Sequence, residues 1–269
     1  MPEGHVIHKL AHDLTSTFAG KTVEVTSPQG RFAHEASLLN NTTLISAEAF
    51  GKQLFIEFDC PIAEKYISIH LGLIGTFRFE PPEDTWGQIR LRITDNHTAA
   101  NLRGPQWCRL ISADDLRHAV DKLGADPLRD DADPTTIKHK ILSSQRSIAS
   151  LLMDQKYFPG VGNIYRAETL FRLNIAPTTP GNALSPDTFD HIWADLQQLM
   201  RYGVEHGRID TVRPEHTPEA MGRKPRKDDH GGEVYVYRRH GQPCHICTSP
   251  ISVTTYESRT LFWCPSCQN

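Results

Sequence analysis

Two Cys-x-x-Cys pairs near the end of the chain constrain its fold more than any other feature of the sequence. They are spaced as Cys244-x2-Cys247-x16-Cys264-x2-Cys267. Each pair can direct two thiolates at one Zn²⁺, and four cysteines complete a tetrahedral site that leaves no position for water. We therefore predict one structural Zn²⁺ that folds this segment and takes no part in catalysis. Two disulfides or free thiols are the alternatives, and the spacing in an intracellular chain favours the metal.

The residues between the two cysteine pairs predict a β-hairpin. The stretch 252–262 is rich in β-branched and aromatic residues, and its turn is expected near residues 257–259. Arg259 would then lie at the tip of the hairpin. Two interpretations of this arginine stay open, a cation held in place for a ligand and a solvated surface charge.

Length and composition define the class of protein. The chain has 269 residues, of which 38% are hydrophobic and 23% charged, which is typical of folded chains with one large or several smaller domains. This composition excludes an intrinsically disordered protein, a collagen and a coiled coil. The chain has no stretch of eighteen apolar residues, so no membrane span is predicted, and the N-terminus lacks the pattern of a secretory signal. We expect a cytoplasmic protein.

The first half of the chain predicts a β-rich domain preceded by one helix. Residues 4–19 carry apolar side chains on one helical face, and residues 116–123 predict a closing helix. Short stretches of β-branched and aromatic residues separated by turns favour a β-sandwich or a barrel. The predicted strands are 21–26, 43–50, 53–58, 66–70, 76–79 and 88–93.

The second half predicts a helical domain and then the cysteine segment. Helices are expected over about 134–142, 147–153, 163–171 and 186–207, and residues 210–232 read as a mobile loop. The complete prediction is an α+β multidomain chain. It has an N-terminal β-sandwich domain with flanking helices (1–125), a helical domain (126–232) and a C-terminal four-cysteine zinc-finger β-hairpin (233–269).

A glycine-rich turn in the helical domain suggests a site for an anion. Gly160 and Gly162 permit a sharp change of direction, and Asn163 can cap the helix that follows. Backbone N–H groups at such a helix start suit a phosphate, although an ordinary pair of helices joined by a glycine turn is the alternative. Residues 138–172, which include Lys156, hold 6 Lys/Arg against 2 Asp/Glu although the net charge of the chain is −3. This local excess favours a nucleic-acid backbone.

The N-terminus carries a possible nucleophile. Removal of Met1 would leave Pro2 as a secondary amine, and an α-amino group titrates near pH 7.7–8.0, so part of it is unprotonated at neutral pH. Such an amine can form an iminium with an aldehyde, and Glu3 beside it can transfer protons. The alternative is a helix start with an acidic first turn. Three histidines, His5, His8 and His12, share one helical face, but exposed histidines are commoner than a metal site there.

Several separated motifs appear in the order found in one enzyme family. The chain resembles the Fpg/Nei family of DNA glycosylase/AP lyases, which comprises formamidopyrimidine-DNA glycosylase and endonuclease VIII. The resemblance extends from residue 2 to the last cysteine and is closest to the actinobacterial endonuclease VIII-like branch, which shares Leu102-Arg103-Gly104-Pro105. The motifs that carry it are Pro2-Glu3-Gly4-His5, Gly51-Lys52-Gln53-Leu54, His70-Leu71-Gly72-Leu73-Ile74-Gly75, Met153-Asp154-Gln155-Lys156, Gly160-Val161-Gly162-Asn163-Ile164-Tyr165 and the four cysteines.

The resemblance implies a fold and an activity. The implied protein has a β-sandwich with the catalytic terminus, a helix–two-turn–helix domain and a zinc finger, and it acts on double-stranded DNA that contains oxidised bases or abasic sites. It is expected to remove the base and cut the strand by β,δ-elimination, as a monomer associated with the nucleoid. A DNA-binding module that recognises damaged sites without cutting and a zinc-ribbon protein of RNA metabolism are the competing hypotheses.

The resemblance also implies roles for individual residues of this chain. Pro2 is the Schiff-base nucleophile and Glu3 a proton donor. Lys52 and Arg259 contact phosphates and act as proton donors, and Asn163 grips a flanking phosphate. Lys156 is expected to bind DNA.

The residues expected to enter the DNA stack depart from the formamidopyrimidine branch. Leu73 stands where that branch usually has methionine, and Asn101-Leu102-Arg103-Gly104-Pro105 replaces its Asp-Pro-Arg-Arg-Phe-Gly signature. Leu73 is therefore predicted to insert into the stack, with Arg103 performing the work of the missing arginine. This departure favours oxidised pyrimidines over 8-oxoguanine as substrate.

Overall fold

The structure is a computed structural model that describes residues 2–227 and 232–269. The chain divides into two compact units, the first ending at Lys122 and the second beginning at Leu123. Met1, whose removal is predicted, and part of the predicted loop 210–232 lie outside the described residues. The boundaries of three domains at 125/126 and 232/233 stay a prediction.

Over its described residues, 2–122, the first unit contains three helices and eight strands. The helices are α1 (Gly4–Phe18), α2 (Ala33–Leu39) and α3 (Ala113–Val120). The strands are β1 (Thr22–Thr26), β2 (Thr42–Phe50), β3 (Gln53–Asp59), β4 (Glu64–His70), β5 (Thr76–Glu80), β6 (Ile89–Thr94), β7 (Ala99–Arg103) and β8 (Trp107–Ser112).

All neighbouring strands of the first unit are antiparallel, in the order β5-β7-β6-β1-β2-β3-β4-β8. Strand β1 belongs to both halves of this sheet, because Thr22 and Val23 pair with β2 whereas residues 24–26 pair with β6. A strand that changes partner along its length turns the sheet back on itself, which gives the two layers of a β-sandwich. The sandwich predicted for this unit is confirmed.

Helix α1 covers the core of the first unit because its apolar residues recur at helical spacing. Ile7, Leu10, Leu14 and Phe18 are buried and belong to the same cluster as the inward-facing residues of the strands. The helix ends before Gly20, whose φ of 75° is the left-handed conformation that glycine adopts without strain. The periodicity of the sequence therefore predicted this helix to within one residue.

The second unit contains the remaining helices and one hairpin. Its helices are α4 (Thr135–Leu142), α5 (Ile148–Met153), α6 (Asn163–Arg172), α7 (Pro186–His206) and α8 (Pro218–Met221), and its strands are β9 (Ser252–Tyr256) and β10 (Arg259–Trp263). Single 3₁₀ turns occupy Gly181–Ala183 and Pro214–His216. One buried cluster runs from α4 to the cysteine segment, so helices α4 to α7 and the hairpin share a core.

Helices α5 and α6 are joined by a turn that Gln155 holds. Its side-chain N–H₂ donates to the carbonyls of Met153 and Val161, and its side-chain oxygen accepts from the N–H of Gly160 at 3.0 Å. Gly160 has a φ of 85°, which a side chain would strain. The glycine-rich turn predicted from the sequence is thus fixed by three hydrogen bonds of the Gln155 side chain, which the sequence analysis did not predict.

A buried carboxylate ties helix α6 to the segment before the cysteines. Glu168 is fully buried and accepts hydrogen bonds from the backbone N–H groups of Tyr235, Val236 and Tyr237 and from the hydroxyl of Thr211. The distances run from 2.6 to 2.9 Å. These four bonds compensate the loss of water around the charge and fix the course of the chain into the cysteine segment.

The structure corrects several expectations about secondary structure. The helix predicted over 116–123 is α3 and begins three residues earlier, because Ser112 and Asp115 form a reciprocal capping box. Among the helices and strands of the described residues, four were missed, namely α2, β7, β8 and α8. Strand β7 is buried along its whole length, so its sequence lacks the alternation of polar and apolar residues on which the prediction relied.

The segment predicted as a mobile loop contains ordered elements in its described part. Helix α8 lies within it, and Arg223 pairs with Glu233 at 2.6 Å. Its mobility stays a prediction. None of the helices in the described part of the chain combines the length and the apolar composition that a membrane span requires.

Replacement of the buried carboxylate tests its role in the fold. Glu168→Ala leaves three backbone N–H groups and one hydroxyl without their acceptor, and each buried unsatisfied donor costs about 1–3 kcal/mol. We expect the free energy of unfolding in urea to fall by more than about 3 kcal/mol. Glu205→Ala on α7, at a side chain that is 78% exposed, is the matched control and should change it by less than about 0.5 kcal/mol. Equal effects of the two changes would contradict this role for Glu168.

Candidate nucleic-acid interface

The N-terminus of the first unit places Glu3 inside the protein. Glu3 precedes α1 in extended backbone conformation, its carbonyl accepts the N–H of Val6 at 3.0 Å, and its residue is only 1% exposed. The adjacent Pro2 is partly exposed. Glu3 is the N-cap residue of α1 and so lies at a helix start, but the first turn of α1 contains no acidic residue and Glu3 lies in a buried environment. It is the kind of environment in which groups that transfer protons are found.

One end of the sheet brings a lysine and a histidine together. Lys52 lies in the two-residue turn between β2 and β3, where Phe50 pairs with Gln53, and Leu54 of β3 pairs with Ile69 of β4. His70 follows Ile69 at the end of β4, so the strand register places it near this turn.

His70 is a functional candidate that the sequence prediction did not include. Burial lowers its pKa, and the positive charge of Lys52 lowers it further, while a hydrogen bond with Gln106 acts in the opposite direction. The ring stacks on Trp107 at 4.5 Å between centroids, and its Nδ1 accepts the N–H of Gly72 at 3.0 Å. The His70 ring is therefore held in a fixed orientation beside Lys52, and its neutral form is favoured. Its place in the His70-Leu71-Gly72 motif was the available signal.

The turn after β4 exposes two apolar side chains. Leu71 is buried and its carbonyl accepts the N–H of Gly75 at 3.1 Å, which closes a tight turn. Within that turn Leu73 is 68% exposed and Ile74 is 84% exposed. Adjacent exposed aliphatic residues on a rigid turn are unusual unless they have a partner. The turn therefore presents Leu73, which the sequence predicted to insert into DNA, to the outside of the unit.

Arg103 is held inside the first unit. Its guanidinium donates to both carboxylate oxygens of Glu80, at 3.1 and 2.8 Å, and its Nε donates to the carbonyl of Trp86 at 3.1 Å. Burial by itself raises the pKa of Glu80, but hydrogen bonds from Arg103 and Asn101 outweigh it and the pKa is lowered. Both side chains of the pair are about nine-tenths buried. Insertion of Arg103 into DNA, as the sequence predicted, would require breaking this ion pair.

Asn163 has a different local role from the one expected. It is the first residue of α6, whose N-cap is Gly162, and no side chain caps this helix. Its side-chain amide instead donates to the carbonyl of Thr260 at 2.8 Å, and its side-chain oxygen accepts from the buried Arg166. The prediction that Asn163 caps the helix is wrong, because its side chain turns towards the hairpin and away from its own helix.

Lys156 lies on the turn between α5 and α6 and is exposed. Its backbone N–H donates to the side chain of Asp154 at 3.1 Å, and Arg146 pairs with the same carboxylate at 2.9 Å. Asp154 thus lies between Lys156 on this turn and Arg146, which precedes α5.

Arg259 begins the second strand of the hairpin β9–β10, opposite Tyr256, and is exposed. The two turn residues, Glu257 and Ser258, have φ values of 47° and 61°, a left-handed conformation that costs a side-chain-bearing residue about 1–2 kcal/mol. The predicted position of this arginine at the hairpin tip is confirmed.

A chain of hydrogen bonds compensates this strain. The hydroxyl of Tyr256 donates to Ser147 at 2.8 Å, Ser147 and Ser150 lie 2.9 Å apart, and Ser150 donates to the carboxylate of Glu257 at 2.6 Å. Because Ser150 gives its only proton to Glu257, Ser147 must donate to Ser150. The chain therefore runs in one direction and ends on a charge, which strengthens each bond. It joins the hairpin tip to the start of α5.

The four cysteines form the cluster that their spacing predicted. Their sulfur atoms lie within 4.8 Å of one another, with Cys244 to Cys267 at 4.0 Å and Cys247 to Cys264 at 3.4 Å. Sulfur–sulfur edges of about 3.8 Å follow from tetrahedral geometry and a Zn–S bond of about 2.3 Å. The separations exceed the length of a disulfide bond, about 2.05 Å. The quartet fits one tetrahedral metal ion. In residues 2–227 and 232–269 no other group of His, Cys, Asp or Glu side chains meets this condition, which leaves out His5, His8 and His12.

Comparison with known proteins gives the family of this chain. Residues 1–105 match the formamidopyrimidine-DNA glycosylase N-terminal domain, and residues 123–214 match the formamidopyrimidine-DNA glycosylase H2TH domain. An Endonuclease 8 1 of Mycobacterium tuberculosis (strain ATCC 25618 / H37Rv) is 43% identical over 277 residues that cover 100% of both chains. The chain belongs to the Fpg/Nei family. The resemblance inferred from the separated motifs is thereby confirmed.

More distant Fpg/Nei proteins confirm the fold class. A formamidopyrimidine-DNA glycosylase of Sodalis glossinidius is 27% identical over 282 residues, and 100% of each chain is covered. The structure of a complex between the Lactococcus lactis Fpg and an abasic site containing DNA matches with a TM-score of 0.80 at 20% identity, over 99% of each chain. The α+β arrangement with a sandwich, an H2TH domain and a cysteine hairpin is that of the family.

A double-mutant cycle tests the hydrogen-bond chain at the hairpin tip. Ser150→Ala removes the donor to Glu257 and should lower the free energy of unfolding by about 1–2 kcal/mol, and Glu257→Ala should lower it by a similar amount. The double variant should lose little more than either single variant, because both changes break the same chain. Thermal unfolding followed by circular dichroism measures all three.

The control is Ser143→Ala, whose hydroxyl bonds only to carbonyls of its own helix among the contacts described. It should change stability by less than about 0.5 kcal/mol. Strict additivity of Ser150→Ala and Glu257→Ala would show that the two side chains act independently, against this interpretation.

Proposed function

We propose that this chain removes oxidised pyrimidines from double-stranded DNA and then cuts the strand at the resulting abasic site. It is a bifunctional DNA glycosylase/AP lyase of base excision repair, as its family and its Endonuclease 8 relative indicate. Its partner is DNA that contains a lesion or an abasic site. The observation that carries the catalytic part is the buried Glu3 beside the terminal Pro2.

The proposed reaction starts with a bond between Pro2 and the sugar. The damaged nucleotide leaves the stack, at a cost of a few kcal/mol that is smallest for damaged or mispaired bases. The ring nitrogen of Pro2, exposed once Met1 is removed, attacks C1′, and the base departs with the electron pair of the glycosidic bond. Glu3 protonates the ring oxygen of the deoxyribose, which opens the sugar and leaves an iminium on Pro2.

The iminium then drives strand cleavage. A secondary amine gives an iminium that keeps its positive charge, so the protons on C2′ become acidic. Loss of one of them expels the 3′ phosphate by β-elimination, and δ-elimination expels the 5′ phosphate. The product is a one-nucleotide gap with a phosphate at each end.

The remaining predicted residues bind DNA in this proposal. Lys52 and Arg259 contact phosphates beside the lesion and supply protons during elimination, and Asn163 and Lys156 contact the flanking backbone. Leu73 enters the stack from its exposed turn. Support for the preference for oxidised pyrimidines comes from the Endonuclease 8 relative and from the missing formamidopyrimidine signature around Arg103.

We further propose that the cysteine quartet binds one Zn²⁺ with a structural role. Four thiolates satisfy its coordination, and the metal would hold β9 and β10 together at the base of the hairpin, which carries Arg259 at its other end. The protein would act as a monomer in the cytoplasm, associated with the nucleoid.

Borohydride trapping tests the catalytic proposal. The purified protein, shown by intact mass to lack Met1, should form a covalent adduct with a duplex that carries an abasic site when borohydride reduces the iminium. A chain that retains Met1 should form no adduct, because its Pro2 nitrogen is then part of an amide. Glu3→Gln should lose excision of thymine glycol by at least about 100-fold, the usual size of a general acid effect, but keep more of the strand scission at a ready-made abasic site.

Arg31→Gln, at an exposed arginine of the first unit, is the matched control and should leave adduct formation unchanged. Binding of abasic DNA with no adduct in the processed protein would identify a non-catalytic damage-binding protein. Equal loss of excision and scission in Glu3→Gln would contradict the role of Glu3.

Metal removal tests the zinc proposal. Purified protein should contain one zinc per chain by elemental analysis, and Cys267→Ser should lose it, because three thiolates cannot complete the tetrahedral site. Cys108→Ser, outside the quartet, is the control and should retain it. DNA binding should fall with the zinc content, while the buried N-terminal core keeps its thermal transition. A zinc-free chain with unchanged DNA affinity would overturn the structural role.

A further inference from the structure

One end of the sheet in the first unit collects the residues predicted to meet DNA. The turn with Lys52 joins β2 to β3, the turn with Leu73 joins β4 to β5, and Thr76 at the start of β5 pairs with Arg103 at the end of β7. Residues 104–106 then return the chain to β8, where Trp107 pairs with His70. These turns and strand ends are therefore neighbours.

Trp86 lies at this end of the sheet and is half-exposed. Its residue is 54% exposed, and its ring lies 3.8 Å from the Cζ of Arg103, whose guanidinium covers part of the indole. The Nε of Arg103 donates to the carbonyl of Trp86 at 3.1 Å, so the same arginine holds both the backbone and the ring. The indole has a fixed position and keeps surface open to a partner.

The ion pair of Arg103 and Glu80 next to the indole has a high desolvation free energy for a contact that only stabilises the fold. Arg103 and Glu80 are about nine-tenths buried. The attraction between the two charges of a buried ion pair does little more than offset the free energy lost when both charges leave water. Apolar residues would fill the same space at no such cost. Planar support for an exposed aromatic ring is a function that an aliphatic side chain cannot supply, because a guanidinium stacks on an indole.

An exposed aromatic ring at a DNA-binding edge has a natural partner. When a nucleotide leaves the duplex, the bases next to it and opposite it lose a stacking neighbour. An aromatic side chain can stack on any of the four bases, since every base has a π-face. The neighbouring Leu73 and Ile74 are aliphatic and can separate bases, but they offer no aromatic plane.

We propose that Trp86 is a base-stacking residue, which packs its indole against a nucleobase left without its neighbour when the lesion leaves the helix. Arg103 is the positioning residue that holds Trp86 for this contact, rather than a residue that itself enters the DNA. The inference rests on the proposed function, because it requires a duplex from which a nucleotide has been displaced.

Binding to a duplex with a tetrahydrofuran abasic analogue tests this proposal. Trp86→Ala should raise the dissociation constant about tenfold, whereas Trp86→Phe, which keeps an aromatic plane, should raise it less than about threefold. The control is Ile45→Ala. Ile45 is 44% exposed on β2, about 17 Å along the strand from Phe50 beside the Lys52 turn, and its replacement should leave the constant unchanged.

The fluorescence of 2-aminopurine and the salt dependence of binding distinguish base stacking from a phosphate contact. A 2-aminopurine placed opposite the abasic analogue, or beside it in a second duplex, should be quenched by the wild-type protein in at least one duplex and not by Trp86→Ala. The salt dependence of binding should be the same in both proteins, because a base contact releases no counterions. A salt slope reduced by about one would indicate a phosphate contact at this position and overturn stacking.

A double variant tests the assignment of Arg103. If Arg103 acts through Trp86, Arg103→Gln combined with Trp86→Ala should bind no more weakly than Trp86→Ala alone. Additive losses would show that Arg103 contacts DNA itself and overturn its positioning role. Unchanged affinity and quenching in Trp86→Ala would overturn the stacking role. Failure of the proposed function is seen separately, as a wild-type protein that forms no borohydride adduct.

Discussion

The second unit depends on the hydrogen bonds that the buried carboxylate of Glu168 accepts. A fully buried charge is tolerated only when its hydrogen-bonding capacity is filled, and here three consecutive backbone N–H groups and one hydroxyl fill it. These bonds fix residues 235–237 against α6, and the chain continues from there into the cysteine quartet. At the first residue of the same helix, the side-chain amide of Asn163 donates to the carbonyl of Thr260 in the hairpin. Helix α6 thus holds the segment before the cysteines through Glu168 in its middle and the hairpin through Asn163 at its first residue.

The two units present their predicted DNA contacts in the same physical way. In each unit an exposed side chain is mounted on a turn whose conformation is fixed by buried bonds. Leu73 lies on a turn closed between Leu71 and Gly75, and Arg259 follows a turn held by Ser150. A group fixed in advance loses less conformational entropy on binding than a mobile one. A side chain held on a fixed turn can therefore bind a phosphate or a base more tightly without a larger contact area.

Much of the fold was predictable because its signals are local. The apolar periodicity of α1, the strands β1 to β6 and the cysteine spacing each lie within a few turns of chain, and the structure confirms them. Strand β7 and helix α2 escaped prediction. The first is buried on both faces and loses its alternation, and the second has seven residues, too few to establish a period. The role of Asn163 was misjudged for a related reason, since its partner Thr260 is distant in sequence and invisible to local rules.

Residue types and their spacing along the chain were enough to identify the family and the available chemistry, namely Pro2 next to Glu3 and four thiols at metal-binding spacing. Those properties depend on residue type and short separations. Which charged side chains are buried, and which partners they have, became visible in the folded chain alone. Glu3 is enclosed, Arg103 pairs with Glu80 beneath Trp86, and His70 lies beside Lys52. Burial arises from packing between segments far apart in the chain, and the energy of a charge depends on that burial more than on its neighbours in sequence.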